Sequence, residues 1–370
     1  MKLCYFGIYD PEFGRNKVYM SGLRQNGVEI VECRDTSRGA AKFFRLWRKH
    51  EQIVRNGGYD ALIVGYPGHI LVPFAQIISR KPVIFDALAT IYEGEVISRG
   101  KYSSNPFMKT WVMLIDWLSV KCADAILVET KAQKDYFVKG FSLDPAKVHR
   151  VFTGVDEPSL QADHFIPKRP KFTAVFRGKF LPEAGVKYIV QAAKALEKQD
   201  VDVLVIGNGF LEEQIGAEID ALKPLNLFWI PKNLPAANLY YKMQECHVSL
   251  GQFENHDRLE RTIPHKAFES LALGLPYVTG RAKGISELLI DGKNCLMTDL
   301  ADPDDIAAKI LQLKNQPELA SEIGRNGRQL FDEKLTARIL AKEIMAVIVG
   351  MGITAGYSSS PSSLLRKKVS

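Results

Sequence analysis

Residues 261–276 of this chain read RTIPHKAFESLALGLP, and three side chains in that stretch could do chemistry. Pro264 can start a helix, because its missing N–H would have no partner in a first turn anyway. The free amides of such a turn, together with Arg261 and Lys266, predict an anion site. Glu269, three residues after Lys266, shares its helical face. A cation for a diphosphate and a carboxylate for ribose hydroxyls are what a nucleotide requires. A plain surface helix with an ion pair is the competing reading of the same spacing.

Two other loops suit the same ligand. The expected strand 174–177 runs into GKFLPEAG, residues 178–185, in which Gly178 and Gly185 let the backbone approach a ligand and Lys179 lies where a phosphate could be held. Gly207 opens GNG after the expected strand 201–206, a tight turn that borders a base or is only a turn. There is no Walker-type loop, no GxGxxG after the first strand, no HExxH and no GxSxG, so dehydrogenase, kinase and serine hydrolase readings lose their support.

These loops must sit at the ends of strands. Expected strands at 2–8, 28–33, 59–65, 82–87 and 125–128 alternate with helices at 15–26, 40–56, 70–79, 106–121 and 131–140. The rhythm restarts with strands at 171–177, 201–206, 225–230, 247–253 and 276–279. Two such series predict an α/β chain of two doubly wound, Rossmann-like domains facing across a cleft. We expect an N-terminal domain at 1–158 and a C-terminal one at 159–334, with 159–170 as a linker. A closing helix over 335–350 returns to the first domain, and the Ser-rich 356–370 is a disordered tail.

With 370 residues, 46% hydrophobic and 25% charged, the chain suits a two-domain globular protein and not a disordered, collagen-like or disulfide-built one. Five scattered cysteines predict reduced thiols and a cytoplasmic setting. No signal-peptide pattern opens the chain, and the uncharged stretch 344–365 is largely apolar for only 14 residues, short of the roughly 20 that a span needs. The net charge of +7 is carried wholly by residues 1–155, with 22 Lys and Arg against 15 Asp and Glu. That half is expected to face a phosphate-rich partner, although no nucleic-acid recognition motif is present.

FESLALGLPYV at 268–278, GISELLIDG at 284–292, GKFLPEAG at 178–185 and VIGNG at 205–209 together resemble the signatures of the retaining glycosyltransferases of family 4, which have the GT-B fold. The RTIPHK run resembles a subset with an R-x-I-P-x-K motif, and DPEFGR at 10–15 sits where the family has its acceptor-side glycine loop. The resemblance covers about residues 1–350. It implies a hexosyltransferase-like enzyme of polysaccharide biosynthesis that uses a UDP- or GDP-sugar, with no tightly bound cofactor and no metal. Glu269 would hold the donor ribose, Lys266 and Lys179 the diphosphate, and the amides around Gly284 and Ile285 would bind near it, with Glu287 in the same loop. Gly178 and Gly207 would border the donor. Gly14, Arg15 and His69 would lie on the acceptor side, and Asp86 would be the nearest polar candidate for the family's first-domain histidine position.

The chain departs from the family pattern at two positions. Arg261 stands where the first Glu of a pair is expected, and Ala184 where a basic residue is expected before Gly185. Arg261 would then replace part of the charge missing at 184 and join Lys266 as a catalytic cation. A catalytically silent paralogue serving as a binding partner, or a sugar-nucleotide epimerase, are the alternatives. The helix 40–56 places Lys42, Arg45, Arg48 and Lys49 beside Phe43, Phe44 and Trp47, which reads as a membrane-surface element. The helix 106–121 is apolar enough to be packed on the sheet, with a second membrane contact as the other reading. The expected acceptor is a glycan or lipid-linked molecule at the inner face of an anionic membrane.

Overall fold

Short apolar runs become strands buried on both faces, and each amphipathic stretch becomes the helix that covers them. The computed structural model describes residues 1–160 and 166–353. The first part runs β1 (Lys2–Gly7), α1 (Gly14–Gln25), β2 (Glu29–Arg34), α2 (Ala41–Arg55), β3 (Ala61–Val64), α3 (Val72–Ile78), β4 (Val83–Leu88), α4 (Pro106–Cys122), β5 (Ala125–Val128), α5 (Lys131–Phe141) and β6 (Val148–Arg150). Its sheet is parallel, in the order β2-β1-β3-β4-β5-β6. The chain reverses direction across the sheet at β1, which leaves a crevice beyond the carboxyl ends of β1 and β3.

The second part runs β7 (Phe172–Arg177), α6 (Val186–Ala195), β8 (Val201–Ile206), α7 (Glu212–Leu222), β9 (Leu227–Ile230), α8 (Ala236–Gln244), β10 (Val248–Leu250), α9 (His265–Ala272), β11 (Tyr277–Gly280), α10 (Lys283–Ser286) and β12 (Leu296–Thr298). This sheet is also parallel, in the order β12-β11-β10-β7-β8-β9, with its switch point between β7 and β10. The result is the α/β architecture of two Rossmann-like units that the residue pattern predicts. Helices α11 (Pro303–Asn315) and α12 (Pro317–Lys334) complete the second unit, and α13 (Ala337–Gly350) packs on α1. Gly22 permits that contact, because a Cβ there would overlap the Ala337 carbonyl. Thr336 caps α13 through the Ile339 amide, and Leu340, Ile344 and Ile348 are buried. The inner layers meet where the rings of Phe152 and Phe268 lie 6.4 Å apart.

Three features differ from the expectations. The edge strands β6 and β12 are three residues each, too short for periodicity to mark. Residues Tyr92–Ser98 form a π-helical turn where no helix is expected. Most consequentially, α4 is not a buried helix: Phe107, Trp111 and Trp117 on its outer face are exposed. Residues 161–165 of the expected linker and the whole expected tail 356–370 lie outside the described residues. Among the described residues no helix is long and apolar enough to cross a membrane.

Candidate functional site

The two switch points face one another across a cleft of about 360 Å³. On the C-terminal side, β7 delivers Arg177 to its carboxyl end, and the chain then passes Gly178 with φ +139°, a backbone state that favours glycine. Gly207, at the end of β8, is equally constrained: a Cβ there would overlap the Gly178 carbonyl oxygen. The two loops therefore touch, braced by Trp229, whose Nε1 donates to the Gly207 carbonyl at 2.9 Å and whose indole stacks on Phe180. Gly178 and Lys179 both line the cleft.

Opposite them, α9 begins with Pro264 as its N-cap, one position earlier than a Pro within the first turn. Lys266 reaches from this first turn into the cleft beside Gly178. Its Nζ lies 3.8 Å from the centre of the Phe176 ring and 3.5 Å from the Gly251 carbonyl oxygen, and it makes no ion pair among the described residues. Burial, reinforced by the nearby Arg177 charge, holds this amine well below the ordinary lysine value. A buried lysine amine with one long hydrogen bond is an incomplete arrangement, and an anion in the cleft would complete it by favouring the charged form.

Glu269 lies behind this point and does not line the cleft. It pairs with Arg177, lies 3.1 Å from His265 Nδ1 and accepts from the Tyr240 hydroxyl at 3.3 Å. Burial and the Arg177 charge push His265 down to about 3, and burial lowers Arg177 to about 10. Glu269 thus anchors the guanidinium and imidazole that form the floor of the site. Gly284 and Ile285 sit in α10, where the absence of a side chain on Gly284 lets the helix pack on the carbonyls of Leu259 and Thr262. Neither lines the cleft.

Arg261 and Glu287 point into the seam between the two units. Arg261 donates to Glu93 at 2.9 Å, pairs with Asp257 and lies over the Tyr136 ring, while its carbonyl accepts from Thr130. It therefore does not join Lys266, because the 3₁₀ turn Asp257–Glu260 aims it at the other unit. Arg258, from the same turn, is the cation that reaches the 178–185 loop, donating to Glu183 Oε1 at 2.7 Å beside the buried Ala184. Glu287 accepts from the Lys131 and Ala132 amides at 2.6 and 2.7 Å, capping α5 across the seam.

On the N-terminal side, Gly14 begins α1 so close to His265 that a Cβ would lie 2.5 Å from its Nε2. Arg15 lines the cleft but is fully buried, donating to Asp86 at 2.7 Å, to the Val151 carbonyl at 3.0 Å and to Thr153 at 3.1 Å. Asp86 is sealed behind it, with no exposed surface. His69 is buried too, bonded to the Ala89 carbonyl at 2.9 Å, and burial lowers it to about 4, so it is neutral at pH 7.

The residues brought together on the cleft are thus Gly14, Arg15, Gly178, Lys179 and Lys266. Sequence reasoning missed Arg177, Glu183, Arg258 and His265, and above all Glu129. Glu129 follows β5 directly, and a polar residue just past a buried parallel strand is the signal that could have found it. Its carboxylate accepts from Thr153 on one side and from the Ile263 amide, 3.0 Å away in the other unit. Burial raises its affinity for a proton, and the Arg15 charge opposes that.

Residues 157–330 match the family model described as glycosyl transferases group 1. The chain is 26% identical over 177 residues to an uncharacterised glycosyltransferase of Methanocaldococcus jannaschii, covering 44% of this chain and 43% of that protein. It is 23% identical over 195 residues to the capsular polysaccharide biosynthesis glycosyltransferase CapM of Staphylococcus aureus, covering 51% and 49%. The matches span about half the length of these curated relatives. In three dimensions it is similar to HepE of Anabaena, solved in complex with UDP, with a TM-score of 0.68 at 14% identity over 95% of this chain and 100% of that one. These likenesses support the glycosyl transferases group 1 family and the GT-B fold.

Proposed function

We propose that this protein transfers a sugar from a nucleoside-diphosphate sugar to a glycan or lipid-linked acceptor, with retention of configuration, as an R-x-I-P-x-K member of family 4. The observation that carries the reading is Lys266, a buried amine with no ion pair among the described residues, beside the Gly178 backbone at a topological switch point. The UDP bound to HepE favours a uridine donor. CapM, a capsular polysaccharide enzyme by name, favours an envelope-glycan acceptor.

In this mechanism Lys266 and Lys179 face the diphosphate, where negative charge builds as the sugar–phosphate bond breaks. Fixed cations act on that developing charge more strongly than on the ground state, which lowers the barrier. Glu129 and Glu183 are both engaged by donors of the protein, so neither is a free nucleophile. The acceptor hydroxyl then attacks on the leaving-group face and gives its proton to the departing phosphate. Gly14 and Arg15 border the acceptor side.

The test is a thermal-shift panel of UDP, GDP, ADP and CMP. One diphosphate at about a hundred times its Kd should raise Tm by roughly 5–10 °C. No response from folded protein would sink the reading in favour of a silent binding partner. Turnover of the nucleotide sugar without any acceptor would turn it toward an epimerase.

A proton should accompany the nucleotide. Burial makes the Lys266 amine hold its proton less tightly in the free protein than beside a diphosphate, so binding favours its protonated form. Affinity should therefore fall as pH rises between the free and bound pKa values. Where the terminal phosphate (pKa about 6) is already deprotonated, calorimetry in buffers of different ionisation enthalpy should read net proton uptake on binding. Equal heats in all buffers would contradict it.

A further inference from the structure

Helix α4 turns an apolar face to solvent. Phe107, Trp111, Leu114 and Leu118 form one row along it, with Met113 and Trp117 beside them, and all six are 36% to 76% exposed. The opposite face, with Val112, Ser119 and Val120, is what packs inward. The neighbouring α3 carries a further exposed apolar side chain, Ile77 at 82%. Soluble monomers rarely leave so contiguous an aromatic patch uncovered.

Basic residues outnumber acids around the patch, where Glu95 pairs with Lys101 and Arg99 and Asp124 accepts from the Val83 amide. Lys109 and Lys121 lie on α4, Lys101 precedes it, and Arg80 and Lys81 follow α3. The only acid of α4, Asp116, is buried, accepting from the Ile91 and Tyr92 amides at 3.0 and 2.9 Å. A second copy meeting this face symmetrically would set the basic rim against itself. An anionic lipid surface instead takes the tryptophans at headgroup depth and the lysines at the phosphates.

We propose that α4 lies in the plane of an anionic bilayer and is the principal membrane contact of the protein. The Tyr92–Ser98 turn, held to α4 through Asp116, reaches the cleft where Ser98 donates to Glu183 at 2.7 Å. A seated α4 therefore brings the cleft beside the headgroups, where a lipid-linked acceptor presents its sugar. This rests on the lipid-linked acceptor proposed above.

Sedimentation with vesicles of phosphatidylcholine, alone or with about a third phosphatidylglycerol, tests it at low salt. The wild type should bind the anionic vesicles and not the neutral ones, and Trp111→Glu/Trp117→Glu should lower partitioning roughly tenfold or more. Both positions are exposed, so the variant should melt like the wild type and keep its response to UDP. Failure of the folded wild type to bind anionic vesicles overturns the proposal, as does binding unaffected by the two substitutions. A wild-type dimer that the variant dissolves would also overturn it, making the face a self-interface. Vesicle binding without nucleotide response would leave the membrane contact standing and remove the transfer reading, so the two fail separately.

Discussion

Lys266→Ala should reduce sugar transfer by roughly 10²–10³-fold, the usual loss when one group fixed on developing charge is removed. The loss should fall mainly on kcat, since the ammonium meets the most negative charge in the transition state. Stability should move the other way. In the free protein this amine is buried with no ion-pair partner among the described residues, so its removal relieves a desolvation cost. Tm should hold or rise slightly, as at other sites where function is maintained against stability. Lys266→Met, which keeps the stem over the Phe176 ring, separates charge from packing and should lose as much activity as the alanine variant. Activity within threefold of wild type in Lys266→Met would remove this residue from the mechanism.

Sequence and structure agree where the determinants are local. Strand ends carrying glycine and lysine, such as Arg177 to Lys179, are legible because backbone and side-chain requirements coincide within a few residues. Lys266 lines the cleft for the same reason, because Pro264 marks the helix start that carries it. What failed was direction over long separation. Arg261 and Lys266 are close in sequence, yet Arg261 serves Glu93, 168 positions away in the other unit. Glu287 caps α5 across a separation of 156 positions, and Glu129 bonds Ile263 across 134. These acids belong to a seam that exists only once both units are folded and facing each other. The exposure of α4 was illegible for a different reason. An all-round apolar helix has no preferred face, so its composition cannot say which side the sheet covers.

Asp86 lies within β4, and a pair of variants decides its role. Asp86→Ala leaves the Arg15 guanidinium buried with, among the described residues, only the Val151 carbonyl and the Thr153 hydroxyl as acceptors. Breaking one partner of a buried ion pair costs about 3–5 kcal/mol, which for a domain of this size lowers Tm by roughly 6–20 °C. Replacing both partners with apolar groups, Arg15→Met with Asp86→Leu, removes the uncompensated charge, and most of the lost stability should return. A residue that handles protons in the reaction would show the reverse pattern, with activity lost in Asp86→Asn at nearly unchanged Tm. The geometry argues against that. Asp86 has no exposed surface and reaches the cleft only through Arg15, which begins α1 beside Gly14. The expected result is therefore a fall in Tm and in affinity for the acceptor, with kcat at saturating acceptor largely kept, because the pair holds the first turn of α1 against β4 and the Val151–Thr153 segment. A kcat collapse in Asp86→Asn without thermal destabilisation would return Asp86 to the catalytic list.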